Sequence, residues 1–196
     1  MIILGIDPGS QVLGYSLLEY DEATPPRLVV MDVLYLKKMS DFKLRLQKIF
    51  ETTQRLIDSY HPDHLAIEAP YAGKNVQSMI KLGKAQGVAI AAALSRSLSY
   101  TEYEPSVVKQ RVTGNGNAAK EQVAAMVQSL FGFENQPRYL DATDSLAVAY
   151  AGYLELADPL ADVRRQLRPH TVRRSKRQQW GDFVRENQER VGDFSS

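Results

Sequence analysis

The N-terminal stretch MIILGIDPGSQVLGY, residues Met1–Tyr15, constrains the fold of this chain more than any other segment. Its first six residues are almost all apolar, which is typical of a strand buried on both faces. Asp7 ends this run, and Pro8-Gly9-Ser10 then forces a turn, because proline fixes φ and glycine tolerates positive φ. The sequence therefore predicts a carboxylate at the end of a buried strand, where a charge is costly unless a cation compensates it.

The pattern of apolar residues predicts an α/β fold. After the first strand, two more strand patterns follow with connections too short for a crossover helix, which favours antiparallel pairing. Later strands alternate with amphipathic helices, so we expect a mixed five-stranded sheet, three antiparallel strands and then parallel ones, flanked by helices. The predicted strands are Ile2–Ile6, Val12–Tyr20, Arg27–Leu36, His64–Ala69 and Tyr100–Glu104. The predicted helices are Asp41–Tyr60, Asn75–Leu98, Val107–Val112, Ala118–Phe131 and Ala142–Ala157.

Local signals mark some of the helix ends. Ser40 or Asp41 is expected to cap the first helix, and Pro62 to stop it. Ser106 is expected to cap the short helix that begins at Val107, and a glycine-rich loop follows at Thr113–Asn117.

Small residues recur every four positions in the predicted second helix, at Gly83, Gly87 and Ala91. This spacing places them on one helix face and allows another element to approach closely. That element is either the sheet or the same helix of a second subunit, and the sequence leaves both open.

The balance of charged residues changes from mildly acidic to basic near residue 158. Residues 159–196 hold nine Lys and Arg against five acids, whereas the preceding residues hold 15 against 18. We predict a folded domain over 1–158 and a basic, flexible tail over 159–196, which is either solvated or grips DNA or a partner. The chain has no cysteine, which excludes disulfides and zinc–thiolate sites, and no apolar run that spans a bilayer. We expect a cytoplasmic protein that does not act at a membrane.

Four carboxylates occupy positions from which they can converge. Asp7 and Glu68 each end a strand, while Asp141 and Asp144 lie three residues apart at a helix start and share one face. Each has an ordinary alternative: an Asx-turn for Asp7, an exposed edge position for Glu68, and N-capping for the helical pair. The joint pattern favours Mg²⁺, with Mn²⁺ as a substitute, because these cations prefer oxygen ligands.

The electrostatics of such a cluster also require a cation. Two carboxylates about 4 Å apart repel by roughly 4 kcal/mol at an effective dielectric constant of 20. Without a cation some of them would stay protonated. Two ions per site would contact both the attacking water and the leaving oxygen of a phosphodiester.

Five segments resemble the RuvC family of Holliday-junction resolvases, in the same order along the chain. They are GIDPGS at 5–10, AIE at 66–68, KLGKAQGVA at 81–89, the segment with Lys109, Gly114–Gly116 and Lys120, and DATDSLAVA at 141–149. The resemblance covers roughly residues 1–157. It implies an RNase H-like fold, a homodimer, and Mg²⁺-dependent paired nicking of a four-way DNA junction in recombination and repair. It also implies action with the RuvA–RuvB branch-migration complex.

The resemblance implies roles for individual residues. The family's acidic tetrad, which is catalytic and binds the metal, corresponds to Asp7, Glu68, Asp141 and Asp144. Its DNA-contacting and catalytic-support lysines correspond to Lys109 and Lys120. Tyr71 lies near the aromatic residue that these enzymes place at the junction crossover, although Pro70 is a departure from the family pattern.

Three further lysines, Lys74, Lys81 and Lys84, lie beside the Glu68 loop in the sequence. We predict that they contact DNA phosphates, and an ordinary solvated helix face is the alternative.

Two other functions remain open. The turn after Asp7 is similar to a phosphate loop of actin-like ATPases, but that architecture needs a second such domain, for which the chain is too short. A non-catalytic module would bind four-way junctions without a divalent metal and would never cut them. A nuclease assay separates this module from an endonuclease.

Overall fold

The computed structural model describes residues 1–21, 24–70, 75–133 and 140–158, with only the backbone for Leu140 and Asp141. Tyr71, Lys74 and the predicted tail 159–196 lie outside the described residues. In the described part, no helix is long and apolar enough to cross a bilayer.

One five-stranded sheet forms the centre of the fold. Its strands are β1 (Ile2–Asp7), β2 (Val12–Glu19), β3 (Arg27–Tyr35), β4 (His64–Glu68) and β5 (Ser99–Tyr103). Their order across the sheet is β3-β2-β1-β4-β5. The pairs β1–β2 and β2–β3 are antiparallel, while β1–β4 and β4–β5 are parallel. The predicted mixed sheet, with three antiparallel strands followed by parallel ones, is confirmed.

Five helices cover the two faces of the sheet. They are α1 (Phe42–Tyr60), α2 (Val76–Leu94), α3 (Pro105–Thr113), α4 (Lys120–Phe131) and α5 (Leu140–Leu156). Buried side chains of α3, α4 and α5 form one core cluster with the sheet, and those of α1 and α2 form the other. Both faces of β1 and β4 are thus covered, which explains why these strands read as continuous apolar runs.

Helix ends agree with the sequence at α1 and differ at α2 and α3. Asp41 caps α1, and its side chain accepts a hydrogen bond from the Lys43 amide. In contrast to the prediction, Glu104 occupies the N-cap position of α3 without a capping hydrogen bond from its side chain, and Ser106 lies inside the helix. The reason is Pro105, which lacks a free N–H and suits the first helical position. The predicted C-terminus of α2 is also wrong, because the helix ends at Leu94.

The close approach of α5 to β1 depends on Gly5. A Cβ atom on this residue would lie 2.3 Å from the Ser145 carbonyl oxygen and 2.7 Å from the Ala149 Cβ. Any side chain larger than hydrogen would push α5 away from the sheet. This contact brings the first turns of α5 to the strand end that carries Asp7.

Candidate active site

Asp7 and Glu68 project from the same face of the sheet. They end the parallel neighbours β1 and β4, where Ile6 pairs with Ile67 one residue earlier. Side chains alternate along a strand, so Asp7 shares its face with Gly5, the residue against which α5 packs. The strand geometry therefore directs both carboxylates towards α5.

A cavity of about 270 Å³ lies at this edge of the sheet. Polar side chains from five different elements line it: Asp7, Glu68, Lys109, Lys120 and Asp144. Its apolar lining comes from Pro105, Val108, Val123 and Ala147. Three of the four predicted metal ligands and two predicted lysines thus meet in one pocket. The backbone of Asp141 lies in α5 three residues before Asp144, and its side chain is outside the described part.

The proximity of these carboxylates changes the protonation of Glu68. Burial, together with the negative charges of Asp7 and Asp144, raises the pKa of Glu68 to about 8. Lys120 and Lys109 act in the opposite direction. Glu68 therefore holds a proton near neutral pH unless a cation enters the pocket.

Lys120 forms an ion pair with Asp144 across the pocket. Its Nζ lies 2.6 Å from Oδ2 of Asp144, and 52% of the lysine side chain is exposed. Lys120 is the first residue of α4, and its half-exposed side chain lines the pocket. An ammonium group here lies against the carboxylates on one side and solvent on the other.

The oxygen donors of the pocket suit Mg²⁺ rather than a softer metal, since the described residues that line it include no thiol and no imidazole. Among the described residues, no three acidic, histidine or cysteine side chains form a complete metal-binding group. Mg²⁺ is commonly held by one or two carboxylates, with water and substrate phosphate completing its shell. Asp7, Glu68 and Asp144 fit that kind of open site.

Two supporting contacts were not anticipated from the sequence. The buried Gln86 of α2 donates a hydrogen bond to the Glu102 carboxylate at 2.8 Å and lies 3.4 Å from the Glu68 carbonyl oxygen. Its position inside the KLGKAQGVA segment was the available signal. Gln86 thereby supports the strand end that carries Glu68.

The second contact is made by Arg111, which joins α3 to α5. Its Nη1 donates to the Ala151 carbonyl and to Glu155, both at 2.8 Å, and its guanidinium lies over the Tyr103 ring at 5.1 Å. Because α3 also carries Lys109, this contact sets the position of Lys109 relative to α5. The two hydrogen-bond partners lie 40 and 44 residues from Arg111 in the chain, and no local pattern predicts them.

A larger groove of about 810 Å³ adjoins the pocket and shares Glu68 and Lys109 with it. Gly116 and Asn117 of the predicted glycine-rich loop form part of its wall. Lys81 and Lys84 are exposed on α2 and line neither cavity. The geometry thus separates the predicted lysines into a pocket pair and a peripheral pair.

The sequence and the fold both match known proteins. Residues 3–151 match the family described as crossover junction endodeoxyribonuclease RuvC. A protein of that name from Cytophaga hutchinsonii is 47% identical over 97% of this chain and 88% of its own length. The counterpart from Christiangramia forsetii is 55% identical over 76% of this chain and 77% of its own.

Solved structures of resolvases share the fold. T. thermophilus RuvC in complex with a Holliday junction substrate superimposes with a TM-score of 0.73 at 29% identity, covering 80% of this chain and 95% of that one. The yeast mitochondrial resolvase Ydc2 has a TM-score of 0.62 at 13% identity, covering 84% of this chain and 83% of that one, which supports the fold alone.

Proposed function

This chain belongs to the RuvC family of crossover junction endodeoxyribonucleases, and from that premise we propose that it resolves four-way DNA junctions by paired nicks in two opposed strands. The observation that carries this proposal is the meeting of Asp7, Glu68 and Asp144 with Lys109 and Lys120 in one open pocket. Such a pocket accepts a phosphate together with a cation. The family assignment favours this activity over the actin-like ATPase.

We propose that the reaction is attack of water on phosphorus, in line with the leaving 3′ oxygen. The P–O3′ bond breaks, leaving a 5′-phosphate and a 3′-hydroxyl. Magnesium held by Asp7, Glu68, Asp141 and Asp144, with two ions per site, would supply positive charge and lower the pKa of the attacking water. Manganese is an alternative with the same ligand preference.

The side chains of this chain have separable roles in that reaction. Asp7 and Glu68 end adjacent strands, so their carboxylates are held without flexible loops. Lys109 lines both cavities and would hold a phosphate next to the cleaved bond. Lys120 pairs with Asp144, and with DNA bound its ammonium would face the charge that develops on the phosphate.

Replacing Lys120 with Met is expected to lower the single-turnover nicking rate by about 10²- to 10³-fold, because a charged donor to the transition state is lost. Lys120→Arg, which keeps the charge, should recover part of that loss. Arg96→Gln removes a positive charge that pairs with Asp58 and lines neither cavity, and serves as the control. Equal rates for Lys120→Met and the wild type would exclude a catalytic role for Lys120.

The peripheral contacts remain proposals. Lys81 and Lys84 are exposed on α2 and are available to DNA phosphates. Lys74 and Tyr71 belong to the loop outside the described residues, and we retain for Tyr71 the expectation that it stacks on an unpaired base. Such a contact is worth about 1–3 kcal/mol.

The proposed homodimer is supported by α2. A Cβ atom on Gly83 or Gly87 would meet no atom of the chain within 4 Å, so this stripe does not contact the sheet. Ile80 and Leu94, on the same helix face, are 43% and 55% exposed. The opposite face, with Ala85 and Ala89, is fully buried. An apolar seam on the outer face of α2 suits the same seam of a second subunit.

Replacing Gly87 with Leu is expected to abolish dimerisation and leave the fold intact. The new side chain meets open space within the chain but would fill a seam that requires close helix approach. Sedimentation velocity should show a monomer for this variant and a dimer for the wild type. Gln77→Leu, an exposed position beside the seam, is the control and should remain dimeric. If the Gly87→Leu variant is dimeric, the dimer interface does not lie on this face of α2.

The decisive assay uses a mobile four-way junction with and without Mg²⁺. Paired symmetric nicks that require the metal would support the endonuclease and its dimer. Tight binding without any cutting would instead support the junction-binding module. We further propose a nuclease domain over residues 1–158 and a cytoplasmic location. The resemblance to the RuvC family implies joint action with RuvA–RuvB, which we also propose.

A further inference from the structure

We propose that Lys37, Lys38 and Lys43 form a second DNA surface, which holds the duplex arm leading away from the cleaved strand. We call these three residues the arm surface. They lie in the loop between β3 and α1 and in the first turn of α1. This inference rests on the proposed function, because the arm is that of the junction bound at the active site.

Positive charge is concentrated in this short segment. Residues 36–48 contain five Lys and Arg and one acid, within a domain that has more acids than bases. The acid, Asp41, is engaged as the cap of α1. All three lysines of the arm surface are exposed, and in the described part of the chain none of them forms an ion pair.

The segment is fixed against the turn that follows Asp7. The Leu36 amide donates to the Gln11 carbonyl at 2.8 Å. Arg45 donates from Nη1 to the Ser10 carbonyl at 3.1 Å and from Nε to the Met39 carbonyl at 2.7 Å. Arg45 is therefore used to anchor the loop, and the lysines are left facing solvent. The arm surface and Asp7 lie at the same edge of the sheet.

The register gives the distance from the arm surface to the active site. Asp7 pairs with Gly14, and Tyr35 pairs with Val12, so Tyr35 lies two strands across and two residues along from Asp7. With about 4.8 Å between strands and about 3.4 Å per residue, the two Cα atoms are about 12 Å apart. Lys37 and Lys38 come two and three residues after Tyr35, so their Cα atoms lie about 12–20 Å from that of Asp7.

This distance suits duplex DNA. The two backbones of B-DNA lie about 12 Å apart across the major groove, and successive base pairs rise by about 3.4 Å. A phosphate held in the pocket thus places other phosphates of the same arm, about four to six base pairs away, over the lysines. Lysines spaced along a backbone bind such an arm without reading its sequence.

The test compares Lys37→Gln/Lys38→Gln with Arg55→Gln/Arg96→Gln, which removes two exposed charges from the later part of α1 and the end of α2. Junction affinity is measured without metal at several salt concentrations. Each lost phosphate contact reduces the magnitude of the slope of log binding constant against log salt concentration by about 0.9. The slope of Lys37→Gln/Lys38→Gln should therefore be smaller than that of the wild type by about 1.8, and the slope of the control should be unchanged.

A second arm of the experiment locates the contact on the DNA. Neutral methylphosphonates four to six nucleotides from the cleaved bond should weaken binding to the wild type about 10-fold or more, and should not weaken binding to the Lys37→Gln/Lys38→Gln variant further. Equal salt slopes for the two variants would overturn the proposal that the arm surface binds DNA. The proposal would also be wrong if the methylphosphonates weakened binding to the Lys37→Gln/Lys38→Gln variant as much as binding to the wild type. If the wild type binds junctions and the lysine variant shows the expected change in slope, but the wild type never cuts them, the proposed nuclease function is wrong and DNA binding by the arm surface is supported.

Discussion

Replacing Asp7 with Asn is expected to abolish nicking of a four-way junction in Mg²⁺, with a loss of at least about 10³-fold in single-turnover rate. Asn keeps the shape of the side chain but removes the charge that would hold a cation beside the cleaved phosphate. Junction binding should survive, because the variant keeps every lysine that is proposed to contact DNA. Rates and affinities are measured separately, by quenched-flow cleavage and by metal-free titration.

The stability of the same variant tests the alternative role of Asp7. Its negative charge raises the pKa of Glu68, so the two carboxylates repel each other in the metal-free protein. Asp7→Asn relieves that repulsion, and its melting temperature without metal should equal or exceed that of the wild type. Asp58→Asn, a surface ion-pair variant, is the control for cleavage. Retained cleavage would refute the metal-ligand assignment, and a large fall in melting temperature would favour an Asx-turn.

The second large effect concerns pH and Glu68. Its pKa is about 8 in the folded chain, against an ordinary value of 4.5, so between these pH values the folded chain holds a proton that the unfolded chain has lost. Raising the pH through this window therefore destabilises the metal-free protein. One pKa unit corresponds to about 1.4 kcal/mol. The free energy of unfolding therefore falls by at most about 5 kcal/mol across this pH range, and solvent screening reduces that loss.

Glu68→Gln should remove this dependence. We expect the variant to be more stable than the wild type at pH 8 without metal, by the order of 2–3 kcal/mol, and to match it near pH 5. Urea unfolding between pH 5 and pH 9 measures the difference. Parallel curves for the two proteins would mean that Glu68 ionises normally and that the carboxylates do not act on one another.

Magnesium should reverse the effect of pH on the wild type. Because a cation and a proton compete for the Glu68 carboxylate, binding should release a proton below pH 8, and the apparent affinity should level off above it. Calorimetry in two buffers with different ionisation enthalpies counts that proton. The Glu68→Gln variant should release fewer protons, which separates Glu68 from other titrating groups.

Much of the secondary structure was predictable because its causes are local. The apolar runs of β1 and β4, the Pro-Gly turn after Asp7 and the capping by Asp41 are properties of a few adjacent residues. The errors also have local causes, since Pro105 starts α3 earlier than Ser106 would. Several small residues in α2 were recognised, but their spacing alone does not distinguish a face that meets the sheet from one that meets solvent.

The sequence by itself determined the order of strands and helices and the positions of Asp7 and Glu68 at strand ends. Only the tertiary structure decided that Asp144 and Lys120 share their pocket, that Arg111 joins α3 to α5, and that the arm surface lies beside the Asp7 turn. The first two of these arrangements depend on α5, which packs against Gly5 some 140 residues away in the chain. The local sequence around Gly5 or within α5 does not identify the packing partner, because many small residues in the chain would satisfy the same local pattern.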